Sequence, residues 1–167
     1  MKKLMLGTVL CLPLYAQAKT CEVPINQVEV GSIKLMETYQ DFKKLHPQAG
    51  IEKKSIFIYD TDYSFAREGV MSVGFIDYDS IKNRITAYSL SYNEGKYADL
   101  STPLNIFKNK ILTISKLPKS GWVLSKDKEA YQYTCDDYKV FIRQDNGVGR
   151  GSLGPVVWVF SRYSDSF

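Results

Sequence analysis

An amphipathic helix followed by strand-like runs occurs twice in this sequence, and the repetition restricts the folds available to the chain. In the first half, Thr38 and Asp41 form a capping-box pattern, Phe42 and Leu45 are predicted to face inward, and Pro47 ends the helix. In the second half, Thr102 is the predicted cap and Pro103 the first helical residue. The apolar positions of this second helix have spacings of three and four and are Leu104, Phe107, Ile111 and Ile114.

Three strand-like runs follow each predicted helix. In the first half they cover residues 55–59, 70–78 and 84–92, with a turn at 79–83. In the second half they cover residues 130–135, 138–143 and 156–162, with Asp136 and Asp137 in a tight turn. We therefore predict a two-layer α+β fold, in which an antiparallel sheet of about six strands carries two helices on one face. The fold would be a helix-β-β-β pseudo-repeat, with half-repeats over about residues 31–92 and 101–163.

The N-terminus has the pattern of a cleavable signal peptide over residues 1–18. Lys2 and Lys3 precede an apolar stretch of about a dozen residues, and a small-x-small sequence ends at Ala18. That stretch is shorter than the roughly twenty residues of a membrane-spanning helix, and no later segment approaches that length. Cleavage after Ala18 predicts a single exported, periplasmic domain over residues 19–167. Because Thr20 precedes Cys21, no lipid anchor is expected.

Two cysteines, Cys21 and Cys135, remain after Cys11 is removed with the leader. An even pair in an oxidising compartment predicts a disulfide, and the alternative is two unpaired buried thiols. The disulfide would close a loop of about 115 residues. Neither cysteine has the C-x-x-C spacing of a redox catalyst, so the pair is predicted to be structural.

The charge balance gives little indication of a nucleic-acid or membrane partner. The formal net charge of +4 falls to +2 when Lys2 and Lys3 are removed with the leader. This bias is too weak to indicate binding to nucleic acid or to an anionic membrane surface. We therefore predict no nucleic-acid partner and no membrane span.

The stretch Gly31-Ser32-Ile33-Lys34-Leu35-Met36-Glu37-Thr38-Tyr39-Gln40-Asp41-Phe42 is a short apolar lead into a threonine-capped helix. It resembles the opening of outer-membrane assembly lipoproteins of the SmpA/OmlA (BamE-like) type. The repeated helix-then-sheet plan is similar to that of the β-lactamase inhibitor protein superfamily. The second resemblance implies tandem modules that bind other proteins through an exposed sheet. The chain departs from the first family's pattern at Met36 and Glu37, where Gly and Met would stand, and it lacks the lipidated cysteine.

Motifs that could carry chemistry have simpler structural explanations. Residues 149–154 match G-x-G-x-x-G, but a strand-like run follows them instead of the helix that a dinucleotide site needs, so we predict a mobile hairpin loop over residues 145–155. His46 is predicted to cap the first helix or to be exposed. Three carboxylate pairs are predicted to lie in turns or at strand ends: Asp60 with Asp62, Asp77 with Asp79, and Asp136 with Asp137. We therefore predict no catalytic residue, no cofactor and no metal ligand.

Tyrosine is abundant, with 12 residues in the chain, and a two-layer sheet buries only one face. Tyr88 and Tyr92 alternate with small residues, so they pack on the helices or form an exposed strip. An exposed strip would suit protein binding, and the alternative is that these tyrosines stabilise the sheet through cross-strand pairs. The candidate partner-binding residues are Tyr88, Tyr92, Arg150 and Leu153.

These features predict an exported, non-enzymatic module that binds a protein partner in the cell envelope. It could serve as an inhibitor, an immunity factor or an accessory of envelope assembly. Two alternatives remain. One is an envelope hydrolase that uses carboxylates such as Asp60, Asp62 or Asp77, and the other is a carrier that holds a small apolar ligand between sheet and helices.

Overall fold

The computed structural model describes residues 19–58, 69–70, 72–92, 98, 101–146 and 153–167. The predicted signal peptide lies outside these residues. Ten strands, two α-helices and a 3₁₀ turn at Ile25–Gln27 occur in the described ranges. They are β1 Glu29–Val30, β2 Ile33–Lys34, α1 Tyr39–Leu45, β3 Gly50–Glu52, β4 Ser55–Phe57, β5 Ser72–Asp79, β6 Arg84–Ser91, α2 Leu104–Ile114, β7 Val123–Leu124, β8 Ala130–Thr134, β9 Tyr138–Asn146 and β10 Leu153–Ser161.

Eight strands form one antiparallel sheet in the order β3-β4-β5-β6-β10-β9-β8-β7, and β1 and β2 form a separate hairpin. The prediction of a two-layer α+β fold, with about six strands and two helices on one face, is therefore wrong, because the described chain is mainly β. The sheet is wider than predicted because of the edge strands β3 and β7. These have only three and two residues, which is too short for a strand pattern to show in the sequence.

The unit that repeats is a helix followed by four strands, which corrects the predicted helix-β-β-β unit. Strands β3 to β6 follow α1 and strands β7 to β10 follow α2. Each set forms a meander, and the last strands of the two sets, β6 and β10, pair at the centre of the sheet. The six predicted strands correspond in position to β4, β5, β6, β8, β9 and β10.

Helix α1 begins and ends where the sequence predicts. The Thr38 hydroxyl accepts a hydrogen bond from the Asp41 N–H at 3.1 Å and donates one to the Asp41 carboxylate at 2.8 Å. The helix ends before Pro47, and Phe42 is buried. Leu45 was predicted to face inward but is 57% exposed.

Helix α2 begins one residue later than predicted, at Leu104, with Pro103 as the N-cap residue. Its buried side chains are Phe107, Ile111 and Leu112, and Ile114 at its C-terminal end is 42% exposed. Neither helix in the described part of the chain has the length and apolar character that crossing a membrane requires.

Side chains from both helices and from the sheet form one hydrophobic cluster. Its largest fully buried residues are tyrosines, namely Tyr88, Tyr92, Tyr133 and Tyr138. The Tyr92 ring lies 5.4 Å from the Phe107 ring of α2, and the Tyr138 hydroxyl donates to the Val23 carbonyl at 3.0 Å. The Tyr133 hydroxyl accepts from the Glu22 N–H, so the phenols of Tyr133 and Tyr138 are buried with backbone partners.

The predicted disulfide is confirmed. Cys21 and Cys135 are bonded, and their Cα atoms lie 5.2 Å apart. Beside them, the Glu22 N–H donates to the Tyr133 hydroxyl at 3.0 Å, and the Glu22 carboxylate accepts from the Lys119 N–H at 2.7 Å. The N-terminal stretch is thus fixed against the second half of the chain by a covalent bond and by hydrogen bonds.

The stretch that resembles the SmpA/OmlA opening forms the β1–β2 turn, strand β2 and the beginning of α1. The turn consists of Gly31 and Ser32, which have φ values of 55° and 66°. A side chain at Gly31 would come within 2.7 Å of the Leu90 side chain, so glycine meets both the conformational and the steric requirement.

Candidate functional site

The eight-stranded sheet has two faces of different character. Successive residues of a strand point to opposite faces, so the strand register assigns each side chain to one of them. We define the closed face by the cross-strand row Ile76, Tyr88, Val159, Val140 and Tyr133, all of which are buried. We define the open face by the adjacent row Phe75, Ser89, Trp158, Phe141, Gln132 and Val123.

The closed face packs against helix α2. The Tyr92 ring contacts Phe107, and the Lys108 ammonium lies 4.5 Å from the centre of the Tyr131 ring. Tyr131 pairs with Ile142 on one side and with Leu124 of the edge strand β7 on the other. The helix thus contacts both the end of the central strand β6 and strand β8 of the second half.

Four aromatic rings form a cluster on the open face, and Phe160 lies at its centre. The Phe160 ring centroid is 6.0 Å from that of Phe75, 6.1 Å from that of Phe141 and 6.3 Å from that of Trp158. Phe160 is 9% exposed, and the other three rings are partly exposed. Such distances and tilted arrangements are typical of mutually stabilising aromatic pairs. The cluster is therefore an ordered apolar surface built on rigid strands.

A groove of about 380 Å³ borders this aromatic cluster. Its walls are formed by Asp127, Glu129, Ala130, Phe141, Arg143, Trp158, Phe160 and Ser166. The Arg143 guanidinium carbon lies 4.9 Å from the centre of the Trp158 ring, which is a cation–π arrangement. The Arg143 Nε is buried and has no hydrogen-bond acceptor among the residues that the structure describes.

The carboxylate of Asp127 at the groove rim is held by its own turn. It accepts hydrogen bonds from the Ser125 hydroxyl and from the Glu129 N–H, the latter at 3.1 Å. These two hydrogen bonds, the Ser125 one first, lower the pKa of Asp127 below its usual range. Asp127 is therefore a fixed negative charge at the rim of the groove.

A second pocket, of about 320 Å³, lies near the β5–β6 turn and contains acidic residues. Asp77 and Asp165 line it together with Lys54, which forms an exposed ion pair with Asp165 at 3.1 Å. Burial raises the pKa of Asp77, the negative charge of Asp165 raises it further, and Lys54 opposes the shift. Among the described residues, no three His, Cys, Asp or Glu side chains are arranged to hold a metal ion.

The predicted partner-binding residues do not lie together on the open face. Tyr88 and Tyr92 are 0% and 1% exposed and belong to the core, so of the two alternatives for these residues the structure has core packing and not an exposed strip. Arg150 lies outside the described residues. Leu153 is the first residue of β10, where it pairs with Asn146.

The predicted loop over residues 145–155 overlaps two strands. Residues 145–146 continue β9 and residues 153–155 begin β10, so only residues 147–152 lie outside the described structure. Gly154 of the G-x-G-x-x-G match pairs with Asp145 inside the sheet. The strand that begins there is not the helix that a dinucleotide site needs.

His46 and Asp79 lie at a helix end and in a turn, as predicted. His46 is the C-cap residue of α1, but it is buried instead of exposed, with its ring 4.4 Å from that of Phe42. Asp79 accepts hydrogen bonds from the N–H groups of Ile81 and Lys82, as expected for a turn residue. Asp60 and Asp62 lie outside the described residues.

The aromatic cluster of the open face is not among the predicted sites. Its signal in the sequence is weak, because Trp158 and Phe160 alternate with Val157 and Val159, and both sets are apolar. A strand that is apolar on both sides does not show which face is buried. Only the pairing of β10 with β6 and β9 shows that Trp158 and Phe160 lie on the open face.

Comparisons of the chain with protein-family models, with curated proteins and with solved structures gave no match. The resemblance to the SmpA/OmlA type and to the β-lactamase inhibitor protein superfamily therefore stays a prediction.

Proposed function

We propose that this chain is an exported, non-enzymatic protein-binding module of the cell envelope, and that it contacts its partner through the open face of the sheet. The observation that carries the proposal is the aromatic cluster of Phe75, Phe141, Trp158 and Phe160, which is only partly covered. Partly exposed aromatic groups that adjoin one another are typical of interaction sites.

The shape of the open face supports this proposal. The row from Val123 to Phe75 crosses six strands, a width of about 24 Å at the usual strand spacing. Val123 at the edge of this row is 66% exposed. Ser89 in the middle of the row is only 6% exposed, whereas the other members of the row are partly or largely exposed. A hydrogen-bonded sheet changes little when a partner binds, which limits the entropic cost of association.

Site-specific photo-cross-linking in the native host tests the proposal. A photoreactive phenylalanine analogue at position 141 places the probe in the aromatic cluster, and the matched control carries the analogue at position 81, where Ile81 is 93% exposed in a turn. We expect a discrete adduct from position 141 and none from position 81. The absence of an adduct at position 141, or equal labelling at both positions, would contradict the proposal.

Export is part of the proposal and has its own test. The pattern of residues 1–18 supports cleavage after Ala18, and the disulfide is typical of oxidising compartments. N-terminal sequencing of the protein from a periplasmic extract should begin at Lys19. A protein recovered from the cytoplasm with Met1 in place would contradict this part.

The hydrolase alternative has one supporting observation, the acidic pocket near the β5–β6 turn. Asp77 has a raised pKa, as a general acid requires, and shares this pocket with Asp165. Asp77→Asn and Asp165→Asn separate this alternative from the binding proposal. A hydrolase would lose turnover of envelope polymers in both variants, whereas a module acting through the open face keeps its cross-link at position 141.

A further inference from the structure

The chain turns back onto the sheet immediately after strand β10. The Ser164 N–H donates to the Ser161 carbonyl at 3.0 Å, and the Phe167 N–H donates to the Ser164 carbonyl at 3.2 Å. The Ser166 N–H also donates to the Ser164 hydroxyl at 3.2 Å. Two successive turns thus reverse the direction of the chain, and we define residues 164–167 as the strap.

The strap reaches both ends of one cross-strand row of the open face. This row crosses β5, β6, β10 and β9 and consists of Asp77, Ala87, Phe160 and Lys139. At one end of the row, Asp165 of the strap lines the acidic pocket together with Asp77. At the other end, the Lys139 ammonium lies 4.2 Å from the centre of the Phe167 ring. The strap therefore lies across this row.

The two residues in the middle of the row are buried. Ala87 is 0% and Phe160 is 9% exposed, whereas Asp77 and Lys139 at the ends of the row are only partly buried. Ser166 lies between the two strap residues that reach the ends, and it lines the groove together with Phe160. The aromatic rings of the adjacent row stay partly exposed. The burial within the row thus coincides with the path of the strap.

The contacts that hold the strap are weak. Lys54 and Asp165 form an ion pair at 3.1 Å, but their side chains are 82% and 86% exposed, and exposed pairs add little net stability. Phe167 is 40% exposed. The charge of Asp165 raises the pKa of Asp77, so these two carboxylates repel each other. A partner can therefore displace the strap and leave the hydrogen-bonded strands beneath it intact.

We propose that the strap covers Ala87 and Phe160 in the free protein and is displaced when the protein partner binds, so that Phe160 joins the binding surface. This inference rests on the proposed function and adds regulation to the same site. The partner binds the fraction of molecules in which the strap is released, so its apparent affinity falls in proportion to that fraction. Substitutions that release the strap strengthen binding, and substitutions that fasten it weaken binding.

Thiol labelling of the oxidised protein with N-ethylmaleimide measures release of the strap without a partner. Ala87→Cys places the thiol under the strap, and Val140→Cys, in the buried closed face, is the matched control that reports unfolding. Lys54→Glu removes the ion pair with Asp165 and should raise the labelling rate at position 87 by about two- to fivefold. Phe167→Ala removes the aromatic ring of the strap and should raise this rate about tenfold.

A reversed ion pair and a control pair elsewhere show whether the effect comes from the strap. Lys54→Glu combined with Asp165→Lys restores the pair and replaces the repulsion from Asp77 by attraction, so labelling at position 87 should become slower than in Ala87→Cys alone. Lys44→Glu breaks the exposed Lys44–Asp41 pair on α1 and should leave the labelling rate unchanged. Equal rates in all variants, or parallel increases at position 140, would overturn the inference.

The fluorescence of Trp158 provides a second measurement that needs no added thiol. Trp158 lines the groove together with Ser166 of the strap, and a Trp122→Phe background makes it the only tryptophan. Acrylamide should quench Trp158 more strongly in Phe167→Ala and less strongly in the reversed ion pair. Unchanged quenching in both variants would show that the strap does not control access to the groove.

The cross-link at position 141 separates failure of this inference from failure of the proposed function. Lys54→Glu and Phe167→Ala should increase the adduct, and Lys44→Glu should leave it unchanged. An adduct that is unchanged or weaker in Phe167→Ala overturns the regulation by the strap and leaves the open face as the binding surface. Absence of the adduct without these substitutions overturns the proposed function and the displacement by a partner, while the labelling rates show by themselves whether the strap opens.

Discussion

The closed and open faces of the sheet carry different kinds of aromatic residue. On the closed face the large buried rings are tyrosines, and two of their hydroxyls bond to the backbone of the N-terminal stretch: Tyr133 accepts from the Glu22 N–H and Tyr138 donates to the Val23 carbonyl. On the open face the rings are Phe75, Phe141, Trp158 and Phe160. The buried face thus carries tyrosine, and the partly exposed face carries phenylalanine and tryptophan.

The difference shows what each face requires of its aromatic residues. The closed face must attach the N-terminal stretch to the sheet, and a phenol combines a large apolar area with a polar group at its tip. Burial raises the pKa of both Tyr88 and Tyr138, so these phenols stay neutral over the ordinary pH range. The open face borders a groove, and rings without hydroxyls leave its surface apolar.

The largest expected effect comes from removing the covalent link of the closed face. The double substitution Cys21→Ser and Cys135→Ser should lower the free energy of unfolding by about 5 kcal/mol, because the disulfide closes a loop between residues 114 positions apart. Urea unfolding of the variant and of the oxidised wild type measures this loss.

The two tryptophans show whether the faces respond separately to this change. Trp122 lies 5.9 Å from the Tyr133 ring of the closed face, and Trp158 belongs to the open face. We expect the native-state emission of Trp122 to shift in the double variant and that of Trp158 to stay the same. Equal shifts of both would show that the two faces are not independent.

A pair of truncations compares the two faces directly. Tyr88→Ala should lower the free energy of unfolding by about 4 kcal/mol, because it leaves a cavity in the core. Phe141→Ala removes a ring that is partly exposed already and should cost about 1 kcal/mol. The urea midpoints of the two variants, measured with unchanged slopes, provide the test. A loss for Phe141→Ala as large as that for Tyr88→Ala would show that the open face is a second core.

Local signals in the sequence predict the elements of this fold well and their assembly poorly. Thr38 with Asp41 predicts the beginning of α1, and the alternation in β5 and β6 predicts their positions, because these signals lie within one element. The edge strand β7 has two residues and depends on pairing with β8, which no local pattern encodes. The predictions of six strands and of a two-layer α+β fold were therefore wrong.

The location of the candidate site could not be predicted either, because local sequence patterns do not show how the strands pair. Tyr88 and Trp158 both alternate with smaller or apolar residues, and the sequence gives no sign of which of them faces the helices. The bulges in β5, between Val73 and Phe75 and between Asp77 and Tyr78, change which residues face each side. The disulfide, in contrast, was predictable, because cysteine chemistry depends on the compartment and on the number of cysteines.

The smallest expected effect concerns Asp77, the half-buried carboxylate at the border of the open face. Its pKa is raised by burial and by Asp165, so the native state holds the proton more tightly than the unfolded chain does. As the pH rises above the unfolded pKa, the unfolded chain ionises first, and the protein loses stability until the folded pKa is passed. Asp77→Asn should therefore be more stable than the wild type at pH 7 and nearly equal to it near pH 3.

The gain for Asp77→Asn should stay below about 1 kcal/mol, because solvent screens a half-buried carboxylate. Urea midpoints at the two pH values measure it, and Asp136→Asn, in an exposed turn, is the matched control with no expected change. A loss of stability at pH 7 in Asp77→Asn would mean that Lys54 outweighs both burial and Asp165. In that case the attraction between Asp77 and Lys54 would stabilise the folded protein. The border of the open face would then depend on a charge interaction as well as on apolar contacts.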